Sequence, residues 1–185
     1  MTDSLEVTLQ EINRHNLQDA GKCDSAFAIN SKLILDARNN VINFTIASTP
    51  PYQKKYPFEP VDYGSYVDHP DRTIYFAYVN QSIAGEVRLR RNWNRFAYLE
   101  DIVVDANFRR RGIGRLLIQR AVQWAKDNQL PGVMLETQDN NVAACLLYQA
   151  CGFELGGFDR RLYQGLDPDS EEVALYWYLV FKSEQ

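Results

Sequence analysis

The sequence predicts a mixed α/β (α+β) domain, a central sheet flanked by helices, and three observations carry that expectation. Short segments alternate apolar and polar residues as half-buried strands do. Two longer stretches, 113–128 and 141–151, repeat their apolar residues at helical spacing. In order, the later elements run β-hairpin, β, α, β, α, β, β, which suits a sheet with helices packed on it.

Taken along the chain, LEVTLQEI (5–12) reads as a strand, while 16–30 carries no decisive pattern. KLILDARNNVINFTIAS (32–48) reads as two strands around Asn39-Asn40, a pair that tolerates the positive φ of a tight turn. Residues 49–72 are dense in proline and tyrosine. Proline removes a donor and fixes φ, so this stretch reads as a long surface excursion of the kind that covers a site. TIYFAYV, the turn NQS and IAGEVRLRR form a hairpin, and FAYLEDIVV supplies the next strand. From Ile113, residues Leu116, Leu117, Ala121, Trp124 and Ala125 keep helical spacing to about Asn128, before LPG. VMLETQ is a strand, NVAACLLYQAC a helix stopped by Gly152, and FELGGF and EVALYWYLVF are closing strands.

The 185 residues suit one domain with a real core, and 45% apolar with 24% charged residues suits a soluble one. A net charge of −4 argues against a nucleic-acid binder, which carries surplus Lys and Arg. The N-terminal residues hold scattered charges, and no apolar run approaches a spanning helix, so a cytoplasmic protein without membrane contact is expected. Cys23, Cys145 and Cys151 form no CxxC pair and read as reduced thiols. With only His15 and His69 to join them, no metal site is expected.

The stretch NFRRRGIGRLL (107–117) sets arginines and glycines at the start of the first helix. Helix N-termini present N–H groups and partial positive charge, so a strand, a glycine turn and a helix together make a cradle for a diphosphate. Gly112 and Gly114 admit close approach, and Arg109, Arg110 and Arg111 add charge. No GK[ST] follows, and Leu117 stands where a dinucleotide fingerprint needs glycine. A solvated basic turn capping a helix is the plainer alternative.

Arg109-x-x-Gly112-x-Gly114 resembles the acetyl-CoA loop of the GNAT N-acetyltransferase superfamily, [QR]-x-x-G-x-[GA]. NVAACLLYQACGF resembles its later motif, with Asn141, Ala144, Leu147, Tyr148, Gly152 and Phe153 in register. NWN (92–94), LETQDNNVAACLLYQACGFELGGFD (135–159) and ALYWYLV (174–180) resemble one branch, the streptothricin acetyltransferases. The likeness runs from about Ser48 to Phe181, is strongest after Glu100 and is poor over the first 45 residues. It implies one GNAT domain over 1–185, with acetyl-CoA in the splay between two central strands and a small-molecule amine as acceptor.

By the resemblance, the backbone of Ile102, Val103 and Val104 holds the acetyl-pantetheine arm. Arg109, Arg110, Arg111, Gly112, Ile113, Gly114 and Arg115 hold the diphosphate, and Asn141 and Ala144 help bind the coenzyme. Tyr148 matches the tyrosine that returns a proton to the coenzyme sulfur. Alternation along YLEDIVV places Glu100, Ile102 and Val104 on one face, with Glu100 towards the acceptor as a base acting through water. Glu136 is its rival, as base or as clamp for the substrate's ammonium. Trp93 and the YWY of 176–178 are candidate walls of the acceptor site, and Asp159 a candidate attractor of a polycation. The aromatic C-terminal strand is a candidate homodimer interface. Another acceptor (a polyamine, an aminoglycoside, a protein N-terminus), a non-catalytic coenzyme-A sensor and a nucleic-acid module are the competing readings.

Overall fold

The computed structural model describes residues 6–55 and 60–182. In chain order the strands are β1 (Val7–Glu11), β2 (Phe27–Arg38), β3 (Val41–Lys54), β4 (Arg72–Val79), β5 (Ser82–Arg91), β6 (Ala97–Val104), β7 (Gly132–Gln138), β8 (Glu154–Asp159) and β9 (Ala174–Val180). The helices are α1 (Ile113–Asp127) and α2 (Val142–Ala150). The chain divides into two compact units, each assembled from two separate stretches: up to 26 with 55–133, and 27–54 with 134 onward.

In the first unit β1, β4, β5 and β6 lie side by side, each pair antiparallel. Strand β4 is buried almost without interruption rather than alternately, because both of its faces are covered. On one face α1 presents Ile113, Leu117, Ile118, Ala121, Trp124 and Ala125, all buried. Its approach is close: a Cβ on Gly85 would meet Val103 O at 2.8 Å and Leu117 Cδ1 at 3.1 Å, so only glycine fits there. On the other face Ile74 and Phe76 pack with Ile12 and Tyr66, against Leu17, Val61 and Tyr63.

In the second unit β2 and β3 form a long hairpin whose turn is Asn39 (φ 52°) and Asn40 (φ 62°), as their tolerance of left-handed backbone predicts. Strands β7, β9 and β8 lie in that order, with β8 and β9 antiparallel. Trp177 anchors this core at 1% exposure, packed against Phe44 and Tyr148.

One expectation needs correction. The excursion over 49–72 begins as strand, since β3 continues to Lys54. Pairing passes from Ile29↔Tyr52 to Ser31↔Ser48, so Thr49, Pro50 and Pro51 bulge out opposite Asn30, where a missing N–H costs no ladder bond. Further on, Tyr63–Tyr66 is a 3-10 turn that buries Tyr66, so this part of the stretch does enter a core; residues 56–59 lie outside the described residues. Strand β9 has β7 and β8 on either side. Among the described residues no helix is long and apolar enough to cross a membrane.

Candidate active site

The arginine-glycine loop starts where β6 ends. Asp105 accepts from Asn107 N–H at 3.0 Å and turns the chain into a 3-10 turn, Ala106–Phe108. Arg109 then buckles the loop down: its guanidinium donates to Val104 O (3.0 Å), Ala26 O (2.7 Å) and Asp24 O (3.1 Å). Its guanidinium is therefore engaged by backbone carbonyls. Arg110 (φ 64°) and Gly112 (φ 82°) adopt left-handed backbone on either side of Arg111, a conformation that turns successive N–H groups into a concavity for anions. The first helical bond of α1 runs from Leu116 N–H to Gly112 O, so the helix itself supplies no acceptor for the N–H groups of Ile113, Gly114 and Arg115. Space beside Gly112 is open, with nothing within 4 Å of where a Cβ would stand. Arg110, Arg111 and Arg115 are exposed around this opening. The cradle and its charge fit a diphosphate.

Strand β6 does not keep the alternation expected of it. Arg88 pairs with Asp101 while Leu89 pairs with Leu99, leaving Glu100 as the extra residue of a bulge. Cross-strand partners share a face, so Ile102 and Val104 go with Val87 and Gly85, towards α1. Glu100 instead points with Arg88 and Arg90. Its carboxylate accepts from Tyr66 Oη at 2.6 Å and Arg90 Nε at 3.0 Å, with Arg88 Nε at 3.7 Å. Two guanidiniums and a phenol thus occupy its oxygens.

Two carboxyls that sequence reasoning did not assign to the site lie on the same face as Arg88. Glu86 is 4% exposed; burial pushes its carboxyl up to about 7, against the N–H of Gly21 bound to Oε2 at 2.9 Å. Burial also raises Asp101, with Arg88 opposing. The available signal was a charge pair, Glu86 and Arg88, set inside an apolar strand.

The second unit holds Glu136 on β7, between the buried residues Leu135 and Thr137. Tyr163 Oη donates to Glu136 Oε1. Burial raises this carboxyl, the Tyr163 hydrogen bond lowers it, Glu172 raises it and Lys54 lowers it. Lys54 is itself ion-paired with Glu172, which also accepts from Asn140 Nδ2 at 2.8 Å. Tyr163 escaped sequence reasoning because its loop, 160–173, has no periodicity.

Asn141 is the N-cap of α2, its side-chain oxygen accepting from Ala144 N–H at 3.3 Å, so a structural duty accounts for that oxygen. Tyr148, two turns on, is 4% exposed with its ring against Phe153 and Trp177. Asp159 Oδ1 accepts from Arg161 N–H at 2.7 Å, which ties a turn. Trp93 is 90% exposed on the β5–β6 turn, and Trp177 is core. All three cysteines are free thiols, and burial pushes Cys23 and Cys145 up to about 12, out of reactive range.

Comparison with known proteins bears on this geometry. The profile of the acetyltransferase (GNAT) family matches residues 41–153. Over 174 residues the chain is 33% identical to streptothricin acetyltransferase A of Bacillus subtilis (strain 168), covering 94% of this chain and 99% of that one. A streptothricin acetyltransferase of Escherichia coli is 44% identical over 108 residues, 58% of this chain and 62% of its own length. Among solved structures, a Bacillus anthracis str. Ames protein named as a streptothricin acetyltransferase, in complex with acetyl coenzyme A, matches with a TM-score of 0.89. It is 41% identical, over 97% of this chain and 100% of that one.

Proposed function

Since this chain belongs to the GNAT acetyltransferase family, we propose that it moves the acetyl group of acetyl-CoA to the β-lysine amine of streptothricin. The expected fold class, a mixed sheet flanked by helices, is the family's. One observation carries the acceptor: likeness to streptothricin acetyltransferases over nearly the whole chain, not over the coenzyme motifs alone.

The chemistry sets three tasks. A lysine-like amine has a pKa of about 10.4, so at pH 7 only on the order of 0.04% is neutral, and deprotonation costs about 4–5 kcal/mol. Glu136 is better suited to that task than Glu100. Its burial favours proton uptake, whereas the oxygens of Glu100 are occupied by Tyr66, Arg90 and Arg88. The neutral nitrogen attacks the thioester carbonyl, whose developing oxyanion needs an N–H donor. The C–S bond then breaks. Tyr148 passes its phenolic proton to the departing sulfur and regains one from the new amide nitrogen. Overall an ammonium and a thioester become an amide, a thiol and one proton, which Glu136 releases to solvent.

The coenzyme's diphosphate falls to the loop between β6 and α1. The N–H groups at the start of α1, with Arg110, Arg111 and Arg115, take the diphosphate, while Arg109 holds the loop in shape from below.

The test is thiol release from acetyl-CoA by the purified protein with streptothricin, spermidine, an aminoglycoside or a lysine peptide. Selective turnover of streptothricin is expected. Equal or better turnover of another amine would overturn the acceptor, and no turnover with any amine would overturn the enzyme reading. In the same assay Glu136→Gln should lower kcat by about a hundredfold and Glu100→Gln by less than about tenfold. The reverse order would return the role of base to Glu100.

A further inference from the structure

The loop between β8 and β9 adds something that neither motif contains. We propose that Tyr163 is a positioning residue for the transfer: its phenolic hydroxyl, donated to Oε1 of Glu136, fixes that carboxylate so that Oε2 meets the acceptor's proton. This deepens the reading above and rests on Glu136 as proton acceptor.

The geometry starts with the carboxylate. The terminal torsion of a glutamate is broad and nearly free, so a carboxylate with no fixed partner samples many orientations. One strong donor on one oxygen removes most of that freedom, and charge-assisted bonds of this kind are the strong ones. Among the described residues, Tyr163 is the side chain that donates to Glu136. Other charged or titratable groups around it are Lys54 from β3, Glu172 ahead of β9 and Tyr176 on β9. Lys54 is paired with Glu172, which leaves the phenol to orient Glu136.

A positioning group must itself be held, and Tyr163 is. It sits in the 3-10 turn Leu162–Gly165. Gln164 N–H bonds Arg161 O, and both Leu166 N–H and Asp167 N–H bond Tyr163 O, each at 3.0 Å. Arg161 Nη1 reaches Gln164 Oε1 at 2.7 Å, and Asp159 ties the start of the turn through Arg161 N–H. The loop is thus internally braced before any ligand arrives. The same hydrogen bond also opposes the protonation that burial promotes, so it keeps the carboxylate ready to accept.

The experiment is the pH dependence of kcat and KM for Tyr163→Phe, beside Glu136→Gln and the unaltered protein, with acetyl-CoA and streptothricin. Removing the donor raises the Glu136 carboxyl, so the acidic limb of kcat should move to higher pH. At pH 6.5 kcat should fall about tenfold and recover in part by pH 9. The KM values for both substrates should change by less than about twofold, which a loosened structure would not produce. Replacing Tyr163 with 3,5-difluorotyrosine, a stronger donor of similar shape, should move the limb the other way. The two failures are distinguishable. If Glu136→Gln keeps the acidic limb and full turnover, Glu136 is not the base. If Glu136→Gln abolishes the limb while neither change at Tyr163 moves it, the positioning role is wrong and the base stands.

Discussion

Replacing Gly112 by alanine separates the loop's service to folding from its service to the coenzyme. Gly112 stands at φ 82°, where an L-residue costs about 1–2 kcal/mol. No described atom lies within 4 Å of the new methyl, so no steric cost adds to that figure. For a chain of 185 residues, each kcal/mol lowers Tm by about 2–4 °C, so Gly112→Ala should melt about 2–8 °C lower and still fold. The space that is empty of protein is the space the diphosphate is to enter. A methyl there displaces one charge-assisted N–H bond worth about 1.5–3 kcal/mol, so Kd for coenzyme A should rise about 10–100-fold. Calorimetric titration with coenzyme A and a thermal melt read both quantities on one sample. A Kd within twofold of the unaltered protein would show that the diphosphate does not sit against Gly112. A variant that fails to fold would refute the open space beside it.

Three further outcomes test the remaining geometry. Arg109→Ala strips hydrogen bonds from three backbone carbonyls and should cost about 2–4 kcal/mol in urea unfolding, with loss of coenzyme binding following from the loosened loop. Glu86 is raised from 4.5 to about 7 in the folded state, so the stability tied to its proton is complete below pH 4.5 and is lost as pH rises through 7. Glu86→Gln should therefore stabilise the protein at pH 8 by on the order of 1–3 kcal/mol and change little at pH 4.5; equal effects at both would reject the buried, proton-holding carboxyl. Tyr148→Phe keeps the ring against Phe153 and Trp177 and should leave Tm within a few degrees while lowering kcat about tenfold or more. Unchanged kcat would remove the phenol from the reaction.

What local chemistry dictates was legible in the sequence. The Asn39-Asn40 turn, the helix from Ile113 and the Gly112 loop each declare themselves within a few residues, because φ preference and apolar spacing are local properties. What depends on a distant partner was not. The bulge at Glu100 is a matter of register between β5 and β6, and one extra residue moved this carboxylate off the face that alternation gave it. Nothing local says that Arg109 reaches the carbonyls of Asp24 and Ala26, more than 80 residues earlier. Pro50 and Pro51 speak against a strand locally, and only the pairing of β2 with β3 reveals a bulge that accommodates them. Glu136 was legible as a rival base, but its partner Tyr163 lies 27 residues away in a loop without pattern.

Building each unit from two stretches also fixes a timetable for synthesis. The last segment of the first unit leaves the ribosome at residue 133, when the second unit still lacks everything from 134 onward. The β2–β3 hairpin, finished at Lys54, must wait through the roughly 80 residues from 55 to 133 before its packing partners begin to appear. At about 5–20 residues per second that is on the order of 4–16 s, and a two-stranded hairpin is barely stable alone. During this interval the hairpin's Leu33 and Phe44 lack Trp177 and the rest of their core, which makes the nascent chain most prone to association then. The coenzyme loop is consequently complete on the growing chain before the helix that carries Tyr148 has been translated.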